Sequence, residues 1–237
     1  MYRVKDFFHV SKTAFKETLA KMGKSYMVFV FVFINTIFEN NHFNLGLVGG
    51  VLGGIINYFI GVVITSFVLQ SLSSVVKYGN TGKKSLENSI GNFLPSLIET
   101  MFYVYLIDMF SDLLLVNFPF KFKLVFYFII QLILSAIYEE IYLNGRSGID
   151  AIRQSAIFVK NNCIHYGLYA AIFILAEIFM QVKLGIGLGI SKNTIIYHVI
   201  YALVHTLFML FRGHLFKYLN QHSFRQRKFM RGYWWQI

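Results

Sequence analysis

Cysteine and proline are almost absent from this chain, and charge is scarce. With one cysteine, Cys163, there is no intrachain disulfide and no thiol cluster for zinc; it is expected to be a small buried residue, not a nucleophile. Only Pro95 and Pro119 interrupt the apolar stretches as helix breakers. Charged residues fill 14% of the 237 positions, against about 25% in a typical soluble domain. Most side chains are therefore not made for bulk water. No HExxH, nucleophile elbow or other enzyme signature occurs, and Ser, His and Asp are scattered without supporting context. The GIGLG of residues 185–189 falls in an expected exterior loop, without the preceding strand that a phosphate loop needs. No metal site, no cofactor and no enzyme activity are expected.

What is abundant is apolar length. Hydrophobic residues make up 56% of the chain and fall in six long blocks separated by short basic or Gly/Asn-rich stretches. Blocks of about 20 residues cross a bilayer as helices. The expected crossings cover about 25–38, 46–70, 97–116, 123–143, 164–182 and 194–211. The opening MYRVKDFFHVSKTAFKETLAKMGK is too long and too amphipathic for a signal peptide and is expected to be retained. Its Val4, Phe8, Phe15, Leu19 and Met22 share one helical face, with Lys5, Lys12, Lys16 and Lys21 around the rest. Such a helix lies in the membrane interface with its lysines toward anionic headgroups; the alternative is a helix facing water.

Two further stretches follow that plan. In TGKKSLENSIGNFLPSL, Leu86, Ile90, Phe93 and Leu94 form an apolar face, and Pro95 is expected to break the helix before the third crossing. In SGIDAIRQSAIFVKNNCIHYGLYAAIFILAEIFMQ a basic amphipathic half meets an apolar half near Asn161, Asn162 and Gly167. Aligning the three gives Phe8-x-x-Ser11-x-x-x-Phe15, Leu86-x-x-Ser89-x-x-x-Phe93 and Ile152-x-x-Ser155-x-x-x-Val159. The chain thus reads as a single all-α membrane domain, 1–237, with six transmembrane helices and three amphipathic interfacial helices on the cytoplasmic side. The candidate parallel repeats are 1–78, 79–145 and 146–237. All but four of the 22 Lys and Arg, namely Lys121, Lys123, Lys183 and Lys192, fall on one side of that topology. Because cytoplasmic loops carry the basic excess, both termini are expected in the cytoplasm. This asymmetry also accounts for the basic pI without a nucleic-acid partner. The abundance of Phe, Ile, Asn, Lys and Tyr suggests an AT-rich bacterial genome, hence a bacterial cytoplasmic membrane.

The segment GIDAIRQSAIFVKNN, followed by a membrane helix, resembles the linkers of six-helix bacterial membrane families. These are the YciC-like proteins and the membrane domain attached to some glycerophosphodiester phosphodiesterases. The resemblance implies architecture alone.

Ionisable groups inside a bilayer are costly enough to be functional candidates. Asp108 and Asp112 share one face of the third crossing, Glu177 lies in the fifth, and His198 and His205 lie in the sixth. Together they could line an outward-open polar cavity, as a proton or cation site or a pocket for a basic ligand; alternatively they satisfy one another and fix helix packing. Glu139 and Glu140 diverge by about 100° on a helix, so pairing with Arg146 or Arg153 is expected instead of a shared active site. Gly46, Gly50 and Gly54 form one small-residue stripe, and Gly49, Gly53, Asn57 and Gly61 an adjacent one. Small residues at that spacing let helix backbones approach closely, here within the chain in preference to between copies. The tail after residue 211 is strongly basic, and its closing Tyr233, Trp234 and Trp235 fit an interfacial anchor.

The function expected from this pattern is a membrane subunit of a transport system, touching membrane lipids and a separate protein, such as an ATPase, at the cytoplasmic face. Permeases of bacterial exporters similarly begin with a surface helix and have six crossings. The alternatives are a non-transporting immunity, assembly or lipid-organising protein, and an intramembrane enzyme acting on lipid through the His and Asp residues.

Overall fold

The computed structural model of the chain describes residues 2–40, 50–81, 83–180 and 195–233. Ten α-helices run through them: α1 (Tyr2–Lys21), α2 (Tyr26–Asn40), α3 (Gly50–Ser73), α4 (Ser89–Leu115), α5 (Phe120–Leu134), α6 (Ile137–Asn144), α7 (Gly148–Asn161), α8 (Leu168–Phe179), α9 (Ile195–Gln221) and α10 (Phe224–Tyr233). No strand occurs among the described residues. Four stretches are long and apolar enough to cross a membrane: Gly54–Tyr78, Leu86–Leu115, Phe120–Asn144 and Ile195–Gln221. The number rises to six if each of two bent helix pairs is one span.

Those bent pairs fall where the sequence places a surface helix joined to a crossing. Arg3–Lys24 meets Tyr26–Phe38 at 82°, and Gly148–Asn161 meets Cys163–Phe179 at 96°. The second corner falls at the Asn161, Asn162 and Gly167 join, where a π-helical turn spans Cys163–Gly167. His165 and Tyr166 face inward there, whereas Cys163 is exposed, contrary to the expectation that it is buried. It occupies the outer side of the corner.

The middle unit departs from the plan. Helix α4 runs straight through Pro95, so Leu86 to Leu94 form the start of a crossing helix and not a third surface helix. Proline deletes one backbone bond, the one to the Gly91 carbonyl, and ending the helix among apolar neighbours would leave several polar groups unpaired instead. The fourth crossing is conversely interrupted. A turn at Ser135–Ala136 separates α5 from α6.

Helix α3 is the centre, packed on α2 and α4, with α6 and α9 beside it. Leu69, Leu72, Val75 and Val76 meet Leu97 of α4, Ile141 and Tyr142 of α6, and Leu210 of α9 in one core. A second core joins Val10 and Ala14 of α1 to Phe158, Tyr166, Phe173, Leu215 and Phe216. Helix α9 runs ten residues past the end of the expected crossing because Leu215, Phe216 and Leu219 keep burying its face beyond Phe211. The first ten residues of what reads in the sequence as a basic tail are therefore the last three turns of a packed helix.

At Gly54 and Gly61 the glycine stripe lacks the close approach its spacing suggests. Gly46 and Gly49 lie outside the described residues, and Gly50 and Gly53 open α3. At Gly54 and Gly61 nothing lies within 4 Å of where a Cβ would stand. Asn57, on the same stripe, is half-buried. The close approach expected inside the chain is absent at these positions because α3 packs through the larger side chains of its second half, such as Val68 and Leu72. Close approach occurs instead at Gly148 and Gly213, where a methyl would overlap Glu99 and the Tyr142 hydroxyl respectively.

One end of the bundle carries the first and the last described helices. Lys24 donates to the Gly79 carbonyl at 2.8 Å, Lys217 to the Val76 carbonyl at 2.8 Å, and Asn220 to Asn144 Oδ1 at 3.0 Å. These bonds gather the α1/α2 corner, the α3/α4 connection, the α6/α7 turn and the end of α9 on a common face, the terminal face. Helix α1 lies across it with three distinct stripes. Asp6, Val10, Ala14 and Thr18 are buried; Phe8 is 65% exposed, with Val4, Phe15 and Leu19 similarly open; Lys5, Lys12 and Lys16 flank them. An uncovered apolar stripe edged by lysines is the geometry of an interfacial helix. Beside it, Lys21 bonds Glu17 at 3.1 Å and holds that carboxyl below the usual carboxylate range.

Candidate functional site

Helix α9 carries His198, His205 and Arg212 at intervals of seven residues, hence on one face. From α8, Glu177 reaches His205, with Oε1 at 2.6 Å from Nδ1. The His205 ring stacks on Tyr201, centroids 5.6 Å apart. Both residues border a cavity of about 160 Å³ between α2, α3, α6 and α9. Asn35, Thr36, Thr65, Tyr138 and Tyr201 supply polar wall, and Val32, Val68 and Met209 close the remainder. A cavity so lined has room and partners for a small polar solute or a few waters.

Seven residues along α9, about 10 Å toward the terminal face, lies a second charged layer. Arg212 donates from Nε to Glu139 Oε1 at 3.2 Å and from Nη2 to Oε2 at 3.0 Å. Nη2 also donates to the Ser135 carbonyl at 2.5 Å, which Tyr166 reaches through its hydroxyl at 3.2 Å. Ser155 completes the repair of the α5/α6 break, donating to the Ile133 carbonyl at 2.8 Å and accepting from the Ala136 N–H at 3.2 Å. Backbone groups freed by the break are thus paired by side chains from α7, α8's entry turn and α9. Glu139 and Glu140 do point apart, as helical geometry requires. Glu140 pairs with Arg146 at 3.4 Å as expected, but Glu139 takes Arg212, not Arg146 or Arg153. Arg212 looked like the first residue of a tail; burial of α9 beyond it makes it an interior cation.

A third cluster ties the terminal face together. Asp6 is fully buried and accepts from Arg227 Nε at 3.2 Å and Nη2 at 3.1 Å, with His165 Nε2 at 2.9 Å from the same carboxylate. Arg227 Nη1 donates to the His222 carbonyl at 2.5 Å. The sequence signal for Asp6 was its place on the Val10, Ala14 and Thr18 stripe, an acid where the helix otherwise buries small residues.

Of the five expected site residues, the structure joins Glu177 and His205 only. His198 is buried two turns further along α9 beside Tyr197 and does not border the cavity. Asp108 and Asp112 are exposed on α4, where Asp112 accepts a hydrogen bond from Tyr127 of α5. Helix α4 packs on α3, α6 and α7, on a different side from α8, which is why its acids never meet Glu177. No group of three metal-ligating side chains occurs among the described residues. The GIGLG stretch, Trp234 and Trp235 lie outside those residues.

The chain matches no family model, no curated protein and no solved structure. Chemically, the His205–Glu177 pair can hold or pass a proton at the cavity wall, and it can offer a carboxylate-backed imidazole to a polar solute.

Proposed function

We propose that the chain is a membrane-embedded subunit of a transport system in a bacterial cytoplasmic membrane, with both termini in the cytoplasm. In this reading each bent helix pair is one span, giving six crossings, and the basic terminal face fits that orientation, since cytoplasmic surfaces carry the Lys and Arg excess. The observation that carries the reading is the polar cavity bordered by His205 and backed by Glu177. A bundle serving only as scaffold has no use for Asn, Thr, Tyr and His around a void among its helices, because filling that space with apolar side chains costs less. The cavity holds a small polar solute or cation, and His205 with Glu177 forms its charged contact. Energy comes from a separate partner at the terminal face, where α1, α7 and α10 present a basic platform.

The testing experiment is mild-detergent purification of the tagged chain from its own host, with mass spectrometry of what remains attached. A co-purifying ATPase or solute-binding protein supports the reading. A co-purifying toxin or secretion component, or lipid alone, overturns it in favour of an immunity, assembly or lipid-organising role.

A further inference from the structure

A separate cleft of about 280 Å³ opens on the terminal face where the start of α1, the α7/α8 corner and α10 come together. Its walls carry Arg3, Lys160, Asn161 and Arg227, with Phe224 and His165 between them. Charge does not balance there. Arg227 is neutralised by Asp6, the buried carboxylate behind it, which His165 also touches. Arg3 and Lys160 are exposed and have no acidic partner among the described residues. Arg3 stands over the Phe224 ring at 5.9 Å, and Arg227 stands over the same ring at 5.8 Å. Two uncompensated cations and an asparagine therefore line a concavity whose back wall contains a buried ion cluster.

The surroundings of the cleft decide what kind of anion it suits. Ile164 is part of its wall and heads an open apolar stripe down α8, continuing through Leu168, Ile172, Leu175 and Phe179. Spacings of four, four, three and four keep these on one helical face. Phe8 of α1, also open, lies one residue from Phe7, which stacks on Tyr169 at 5.6 Å. A polar anion pocket that continues into a strip of exposed hydrocarbon matches an amphiphile better than a free ion.

We propose that this cleft binds the phosphate group of an anionic phospholipid, with Arg3 and Lys160 as its cationic contacts and an acyl chain along the Ile164–Phe179 stripe. The interaction fixes the α1, α7 and α10 platform to the membrane surface through one defined lipid. It rests on the reading of the chain as a membrane protein, not on the transport reading.

The native Cys163 borders the cleft, is exposed and is the one cysteine in the sequence, so it reports occupancy directly. The full chain in neutral detergent is titrated with phosphatidylglycerol, phosphatidylcholine or inorganic phosphate while alkylation of Cys163 by N-ethylmaleimide is timed. Phosphatidylglycerol is expected to slow alkylation saturably and phosphatidylcholine to leave it unchanged. The double variant R3A/K160A should need about 30-fold more phosphatidylglycerol. The control K12A/K16A, which removes two α1 lysines that do not border the cleft, should need no more than wild type. Two results overturn the proposal. In one, inorganic phosphate protects as well as the lipid and with the same variant dependence, identifying a free-anion site. In the other, K12A/K16A shifts the titration as far as R3A/K160A, showing diffuse surface charge only.

Discussion

Arg212 closes on Glu139 as a fork, Nε to Oε1 at 3.2 Å and Nη2 to Oε2 at 3.0 Å, between the last half of α9 and the short helix α6. Both side chains are mostly or fully removed from solvent. Removing one member leaves the other buried and uncompensated, which costs about 3–5 kcal/mol, whereas replacing both with apolar residues is near neutral. R212M and E139L are each expected to lower equilibrium stability in detergent by that amount, and R212M/E139L to recover most of the loss. Tyr166 still donates to the Ser135 carbonyl in the double variant. Chemical unfolding followed by tyrosine and tryptophan fluorescence checks this; equal losses in the single and double variants would show that the cost is loss of the pair itself and not the charge left unpaired.

How much of this was legible in the sequence divides by the kind of signal. Crossing helices and the two right-angled corners follow from apolar block length and amphipathic period, so α1/α2 and α7/α8 come out where residues 25 and 161–167 place them. Pro95 misled because its cost is one backbone bond, which a helix surrounded by apolar groups absorbs. Arg212 misled because a cation beside a predicted membrane end ordinarily marks water, and only its partner Glu139, 73 residues away, makes the interior position affordable. Of the five intramembrane acids and histidines, residue type marked all as candidates, but only packing decides which pair meets. Glu177 and His205 sit on neighbouring helices, and α4 holds Asp108 and Asp112 elsewhere.

The aligned serines of the three candidate repeats offer a direct comparison. Ser155 bridges the Ile133 carbonyl and the Ala136 N–H across the α5/α6 break, whereas Ser11 bonds only the Phe7 carbonyl of its own helix at 2.8 Å. S155A leaves the buried Ala136 N–H and the part-buried Ile133 carbonyl without their side-chain partner and is expected to cost about 1–3 kcal/mol. S11A should stay within about 0.5 kcal/mol. Thermal unfolding of the two variants in the same detergent measures the difference; comparable losses would mean that Ser155 is not what holds the break.

Orientation is testable without knowing the ligand. Gly79, Gly145 and the end of α10 belong to the terminal face, and Asn117 lies at the far end of α4. With the terminal face in the cytoplasm, green fluorescent protein fused after Gly145 or Tyr233 should fluoresce, and alkaline phosphatase fused after Asn117 should be active. Phosphatase activity at Gly145 would invert the proposed topology and, with it, the side from which a partner could reach α1 and α7.

Gly213 and Tyr142 provide the sharpest packing test. A Cβ at Gly213 would overlap the Tyr142 hydroxyl and press on Val76 at 3.1 Å. That hydroxyl is buried and has no hydrogen-bond partner among the described residues. Its oxygen therefore contributes desolvation cost without a compensating bond, and Y142F should be neutral or stabilising. G213A forces overpacking where α6, α3 and α9 meet and is expected to cost about 1–3 kcal/mol. In G213A/Y142F the overlapping atom is gone, so most of that loss should return, giving a coupling energy of about 1 kcal/mol or more between the two positions. Strictly additive effects in the double-mutant cycle would mean that the loss from G213A arises at Val76 or in the α9 backbone, and that α6 does not seat against Gly213 as closely as the geometry requires.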